Sequence, residues 1–99
     1  MKSNVERLSS WYASQCDGKW EHGNGFDIGT LDNPGVSLDV DLRGTSLESV
    51  PFTEQNQFPG IKDKWLLCRR TDDRFEGRGA PSRLEDILNY FLDWAEAHG

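Results

Sequence analysis

The sequence pattern that most clearly indicates the fold is Val36–Arg43, which reads VSLDVDLR. Apolar side chains occupy every second position from Val36 to Leu42, and polar side chains occupy the positions between them. Because successive side chains of a strand point to opposite faces, this alternation predicts a β-strand with one buried face. The opposite face is acidic and solvated, since Asp39 and Asp41 lie on it.

The residues before this strand predict a hairpin. Asn33-Pro34-Gly35 places Pro and Gly at the two central positions of a type II turn, where Pro fixes a negative φ and Gly accepts a positive one. We therefore expect Phe26–Leu31 to be the antiparallel partner of Val36–Arg43.

A second hairpin is predicted further along the chain. Lys64–Arg70 and Phe75–Gly79 have the composition of strands, and Thr71–Arg74 can form the turn between them. Gly77 and Gly79 fall on one face of the returning strand. Glycines at such positions often let another backbone, such as a helix, approach closely.

The segment 44–63 separates the two hairpins. A structureless loop of this length is uncommon in a small domain. We therefore expect Val50–Phe58 to contain a short edge strand, with Phe52 and Phe58 as its anchors in the core.

One helix is predicted at each end of the chain. Ser3–Glu6 and Ser82–Glu85 both have the S-x-x-E form of a capping box, which satisfies exposed amide donors where a helix begins. The first helix should end near Asp17-Gly18. Its apolar residues at three- and four-residue spacing are Val5, Leu8, Tyr12 and Cys16, with Trp11 beside them. The apolar arc of the second helix contains Ile87, Leu88, Phe91, Leu92, Trp94 and Ala95.

These elements predict an α+β fold, in which an antiparallel β-sheet of about four to five strands is flanked by an N-terminal and a C-terminal α-helix on its apolar side. A chain of 99 residues has the usual length of one domain, so we expect residues 1–99 to form a single domain. Aromatic residues make up 11% of the chain and supply the large rings that a small core needs.

The net charge of −6 argues against binding to nucleic acid or an anionic membrane and suits a basic partner. Residues 1–61 carry nine acids and four bases, residues 62–83 carry seven bases and four acids, and the last sixteen residues carry four acids and no base. Acidic faces in the N-terminal half and in the last helix could steer a cationic partner. The simpler alternative is that they are solvated faces.

The densest group of polar and aromatic residues is Asp17–Gly23, which reads DGKWEHG. Asp17, Glu21 and His22 could act as acid, base or metal ligands if they converged in a cleft with shifted pKa values. Alternatively, Trp20 packs and the two carboxylates turn the chain. A third interpretation is a protein contact, because Trp beside charged residues is typical of interface hot spots.

The C-terminal helix offers two more candidates. Asp93 lies at the middle of its polar face without an expected internal partner, which makes it a candidate contact. Trp94 lies at the edge of the apolar arc and is first of all a core residue. Cys16 and Cys68 are on apolar faces and are expected to be inert thiols.

The chain lacks a nucleophile-elbow motif, a phosphate-binding glycine loop and the spacing of a zinc site. We therefore predict no catalytic residue, no cofactor and no metal. The sequence also contains neither a signal-peptide core nor an apolar run that could span a membrane. A cytoplasmic location is expected.

Trp11–His22, which reads WYASQCDGKWEH, is the longest of four stretches that carry a family resemblance; the others are Thr30–Gly35, Phe75–Gly77 and Phe91–Trp94. Together they resemble the immunity protein 53 family of bacterial polymorphic toxin systems. The resemblance implies a protein that binds a co-encoded toxin and blocks it inside the producing cell.

The sequence therefore predicts a non-catalytic immunity protein that neutralises a cognate toxin by occlusion, and the acidity suits a basic nuclease as that toxin. The candidate contacts are Asp17, Trp20, Glu21, His22, Asp39, Asp41, Asp93 and Trp94. One alternative is a small hydrolytic or metal-dependent enzyme that uses Asp17, Glu21 and His22. The other is a generic ligand-binding or protein-interaction module.

Overall fold

The structure is a computed structural model that describes residues 2–98. Its helices are α1 (Asn4–Gln15), α2 (Trp20–Gly23) and α3 (Leu84–His98), and a 3-10 turn at Pro81–Arg83 precedes α3. Its strands are β1 (Phe26–Leu31), β2 (Gly35–Asp41), β3 (Gln55–Gln57), β4 (Leu66–Thr71) and β5 (Arg74–Gly79).

The five strands form one antiparallel sheet in the order β1-β2-β5-β4-β3. The helix α3 packs across β5, β2 and β4, and α1 packs against α3. The other face of the sheet carries the charged residues of the central strands. The α+β fold and both flanking helices are therefore confirmed.

The alternation in Val36–Arg43 gives the expected two faces. Leu38, Val40 and Leu42 are fully buried under the helices. Val40 is opposite Phe75 of β5, and Leu38 is opposite Gly77. Because directly opposite residues share a face of the sheet, this register places the apolar residues of both hairpins in one core.

The two central glycines act as expected. A Cβ atom on Gly77 would lie 2.3 Å from Ile87 Cγ2, and one on Gly79 would lie 3.2 Å from Ile87 Cδ1. No side chain fits at the first distance, so Gly77 is the position that lets α3 lie directly on the sheet.

The prediction of a type II turn at Asn33-Pro34-Gly35 is wrong. The Asn33-Pro34 peptide is cis, and Gly35 is the first residue of β2 without a positive φ. Gly35 is needed for a different reason, because a Cβ there would lie 2.6 Å from the carbonyl oxygen of Gly79. The hairpin itself is confirmed, with Leu31 opposite Gly35.

Helix α1 begins with the expected capping box, in which Ser3 and Glu6 exchange hydrogen bonds. The predicted buried face is rotated, however, because Val5 is 63% exposed and Asn4 is buried. The Asn4 amide nitrogen donates a hydrogen bond to Asn89 Oδ1 of α3 at 2.9 Å. This polar contact turns Asn4, rather than Val5, toward α3.

Helix α3 has its apolar arc buried as expected, but the second capping box does not form. Ala80 caps the 3-10 turn that leads into α3, without a side-chain hydrogen bond. The Ser82 hydroxyl donates instead to the carbonyl of Asp63, at 3.5 Å. Pro81 at the start of the turn favours this geometry because it fixes φ and needs no hydrogen-bond acceptor.

The segment 44–63 contains the expected edge strand in the form of β3. Phe52 packs edge-on against Phe75 and Trp94, with ring centroids 5.2 Å apart in both pairs. The expected anchoring role of Phe58 is wrong, because its side chain is 53% exposed and its φ is +49°. The backbone turns at this residue and directs the ring out of the core.

Candidate protein-binding site

The chain between α1 and α2 is a turn organised by two carboxylates. Asp17 Oδ1 accepts hydrogen bonds from the amides of Lys19 and Trp20, both at 2.9 Å. Glu21 accepts from the amides of Asp17 and Gly18, at 3.0 and 2.9 Å. Asp17 therefore satisfies amide donors at the start of the short helix α2, and Glu21 satisfies amides of the turn that precedes it.

These hydrogen bonds keep both groups ionised. The amides of Trp20 and Lys19 lower the pKa of Asp17. The amide of Glu21 itself, followed by those of Asp17 and Gly18, lowers the pKa of the Glu21 carboxyl. A carboxylate held in its charged form is a poor general acid and a good electrostatic contact.

Trp20 fixes this turn to the core. Its side chain is only 6% exposed and packs edge-on against Trp11, with centroids 6.3 Å apart. The indole nitrogen donates to the carbonyl of Arg43 at 2.8 Å. Trp20 thereby holds α2 beside the end of β2 and orients the residues that follow it.

An open cleft of about 630 Å³ lies where α1, α2 and the first hairpin meet. Tyr12 and Phe26 form an aromatic wall in which the ring centroids are 5.6 Å apart. Three carboxylates and an imidazole also line the cleft: Glu21, Asp27, Asp41 and His22. Asp41 Oδ2 accepts a hydrogen bond from the amide of Gly25 at 2.9 Å, which fixes this side chain at the rim.

The uncovered face of the sheet continues from the cleft. Asp39 pairs with Arg78 at 3.0 Å, and Asp41 pairs with Arg74 at 3.4 Å. Asp27 of β1 lies directly opposite Asp39 of β2. Among residues 2–98, Asp27 has no ion pair. Two like charges directly opposite each other on a sheet repel, and the ion pair of Asp39 with Arg78 offsets part of this repulsion.

We call Glu21, Asp27, Asp39 and Asp41 the acidic corner. Glu21 and Asp41 line the cleft with Asp27, and Asp39 faces Asp27 across the strand pair. The individual motifs did not single out Asp27. Its position opposite Asp39 follows only from the strand register that pairs Phe26 with Val40, and this register cannot be read from the sequence alone.

The other candidates lie away from the acidic corner. Trp94 is 8% exposed, and its indole nitrogen donates to the carbonyl of Pro51 at 2.9 Å. The expectation that Asp93 lacks an internal partner is wrong, because its carboxylate pairs with Arg7 at 2.9 Å. Arg7 also pairs with Glu96 at 2.8 Å, so these charges join α1 to α3.

The geometry required by the enzyme alternative is not found in the described residues. No hydrogen bond between residues 2 and 98 joins His22 to Asp17 or Glu21. The same range holds no group of three His, Cys, Asp or Glu side chains that could bind a metal ion. Burial raises the pKa of Cys68 to about 12, so this thiol is unreactive at neutral pH.

No helix between residues 2 and 98 combines the length and the apolarity needed to cross a membrane. Comparisons with curated proteins and with solved structures found no match. A family model described as Immunity protein 53 matches residues 5–96, which include all five strands and all but the outer ends of the two flanking helices. The chain therefore belongs to the immunity protein 53 family.

Proposed function

We propose that this protein binds a cognate toxin of a polymorphic toxin system and neutralises it by occlusion, with the acidic corner as the centre of the contact. Membership of the immunity protein 53 family supports a toxin as the partner. The protein would act in the cytoplasm of the producing cell and would perform no catalysis.

The observation that carries the proposal is the opposition of Asp27 and Asp39 beside the cleft. The free protein bears the cost of two neighbouring carboxylates, one of which has no cationic partner within residues 2–98. A lysine or arginine of the toxin would relieve this repulsion. Binding would therefore recover electrostatic free energy that folding alone leaves unfavourable.

The residues predicted from the sequence divide into two roles in this proposal. Glu21, His22, Asp39 and Asp41 present charge or polarity at the surface and would contact the toxin. Asp17 and Trp20 would position them, because their own hydrogen bonds and packing define the turn and its attachment to β2. Asp93 and Trp94 would serve the packing of α3 or a peripheral contact.

The overall charge supports a basic toxin, for example a basic nuclease. A net charge of −6 on a small protein attracts a cationic partner over distances near the Debye length, about 8 Å at physiological salt. Local carboxylates then define where the partner docks. Rates of association steered in this way fall steeply as the ionic strength rises.

The test uses the toxin encoded beside the gene and two charge-reversed variants. Asp27→Lys removes the unpaired carboxylate of the acidic corner, and Glu54→Lys makes the same change of charge beside β3, where the residue is exposed. We expect Asp27→Lys to weaken binding at least about tenfold and Glu54→Lys to change it less than about twofold.

Asp27→Lys should fold at least as stably as the wild type, because it replaces a repulsion with an attraction. Lost binding would then reflect the contact rather than the fold. The proposed function is wrong if the folded wild type neither binds the toxin nor protects cells that express it. The assignment of the acidic corner as the centre of the contact is wrong if both variants bind as well as the wild type.

A further inference from the structure

The strand β1 forms one edge of the sheet, and its backbone is unpaired on the outer side. The Asp41 amide donates to the carbonyl of Gly25 at 2.9 Å, which makes these two residues a hydrogen-bonded pair. In an antiparallel ladder such pairs alternate along the strands. The N–H and C=O groups of Phe26, Ile28 and Thr30 therefore point away from β2.

Apart from the charge of Asp27, this edge lacks the features that usually protect one. Its outward positions hold no Pro, Lys or other charged residue, and the strand is six residues long. The opposite edge, β3, is three residues long, and the Gln57 side chain is hydrogen-bonded to Tyr90 and Arg83. Short edge strands discourage pairing with another chain, so β1 is the edge better suited to accept one.

The helix side of β1 is covered only at its start. Tyr12 packs on Phe26, whereas Ile28, two residues further on, is 44% exposed. Ile28 is thus an accessible apolar side chain in the middle of a strand whose outer edge is unpaired. An added strand would bury it against an apolar side chain of its own.

The charge beside this edge selects the partner. Asp27 lies on the uncovered face of the sheet, next to this edge, and Asp39 of β2 lies opposite it. A second copy of the chain would bring another charge of −6 and a second Asp27 to the same edge. A strand with Lys or Arg on this face would instead be attracted.

We propose that β1 docks an extended segment of the toxin as a sixth strand, a segment that alternates basic side chains toward Asp27 with apolar side chains toward Ile28. This inference rests on the proposed function and adds the mode of contact to it. Main-chain hydrogen bonds along the edge supply affinity in such complexes, and the alternating side chains supply specificity.

The edge can be blocked without touching the internal ladder. Ile28→Pro removes an N–H group that points away from β2, and proline is tolerated at such edge positions. Ile28→Asp keeps the backbone and places a carboxylate where the partner's apolar side chain would pack. Ile28→Val is the matched control, because it keeps both the N–H group and an apolar side chain.

Binding of each variant to the purified toxin is measured by calorimetry, after circular dichroism has established folding. We expect Ile28→Pro and Ile28→Asp to bind at least about tenfold more weakly than the wild type, and Ile28→Val to bind within about threefold. If Ile28→Pro does not fold, the comparison of Ile28→Asp with Ile28→Val decides.

The inference is overturned if a folded blocking variant binds like Ile28→Val. It is also overturned if the free wild type sediments as a dimer that Ile28→Asp dissociates, since the edge would then serve a second copy. If wild-type toxin binding is weakened by Asp27→Lys but not by Ile28→Asp, the proposed function stands and strand addition fails. If the wild type does not bind at all, both fail.

Discussion

The two edge strands of the sheet differ in how far the rest of the chain packs against them. At β3, side chains from α3 and from the 3-10 turn before it hold the side chain of Gln57 on the helix side of the sheet. Arg83 donates to Gln57 at 2.7 Å, and Tyr90 contacts the same amide side chain. At β1, Tyr12 packs on Phe26, whereas Asp27, Ile28 and Thr30 are exposed.

The loop that leads into β3 extends this contrast. Phe52 packs edge-on against both Phe75 and Trp94, and Trp94 donates to the carbonyl of Pro51. These contacts involve main chain and aromatic rings of the core itself. The β3 side is therefore part of the stabilising structure, whereas Asp27 and Ile28 of β1 are exposed and make no ion pair or buried contact among residues 2–98.

This difference indicates where a partner would bind. Residues that stabilise the fold are already engaged and change little when another protein approaches. In the free protein the Asp27 carboxylate lies opposite that of Asp39, and the Ile28 side chain is exposed. A complex could use both residues as contacts. We therefore assign stability to the β3 edge and recognition to the β1 edge. Substitutions at either edge can test this assignment.

The largest effect on stability is expected from Phe52→Ala on the β3 side. Loss of its contacts with Phe75 and Trp94 should lower the free energy of unfolding by about 2–3 kcal/mol, below the range for a fully buried ring because Phe52 is partly exposed. Ile28→Ala is the matched change on the β1 side and should cost about 1 kcal/mol or less. Urea denaturation measures the free energy of unfolding of both variants. Equal losses of stability would contradict the assignment of stability to the β3 side.

A smaller effect is expected from the acidic corner as the pH falls. The folded pKa of Glu21 is lowered from its ordinary value of 4.5, so this carboxylate stabilises the fold above that pH. The contribution is lost as the pH falls below 4.5 and through the folded pKa. The stability difference between the wild type and Glu21→Gln should therefore be present at pH 7 and shrink by pH 3.

Urea unfolding at several pH values measures that difference. Glu54→Gln is the control, because Glu54 is exposed beside β3 and accepts no hydrogen bond among residues 2–98. Its stability difference from the wild type should stay small throughout. A difference for Glu21→Gln that grew toward acid pH would show that the turn does not depend on the ionised carboxylate.

Much of the fold could be predicted from local patterns. The alternation in Val36–Arg43, the periodicity of α3 and the capping box at Ser3 each depend on neighbours in sequence, and each is found. The errors arose where distant residues decide. Asn4 is buried because Asn89 binds it, and Gly35 is required because the carbonyl of Gly79 lies against it.

The candidate site was predictable in part for the same reason. Glu21, His22 and Asp41 could be named from composition and spacing, and the structure brings them to one cleft. Asp27 was missed because its importance depends on the register that sets it opposite Asp39. Burial of Trp20 and the ion pair of Asp93 with Arg7 were likewise set by contacts far along the chain.

The most direct test of toxin docking at the β1 edge is amide hydrogen exchange, residue by residue, in the free protein and in its complex with the toxin. In the free protein the amides of Ile28 and Thr30 should exchange rapidly, since they point away from β2, and those of Asp27 and Gly29 slowly. Binding should slow Ile28 and Thr30 at least about tenfold and leave Asn56 of β3 unchanged. Protection that appears at β3 while Ile28 and Thr30 exchange as before would contradict the account.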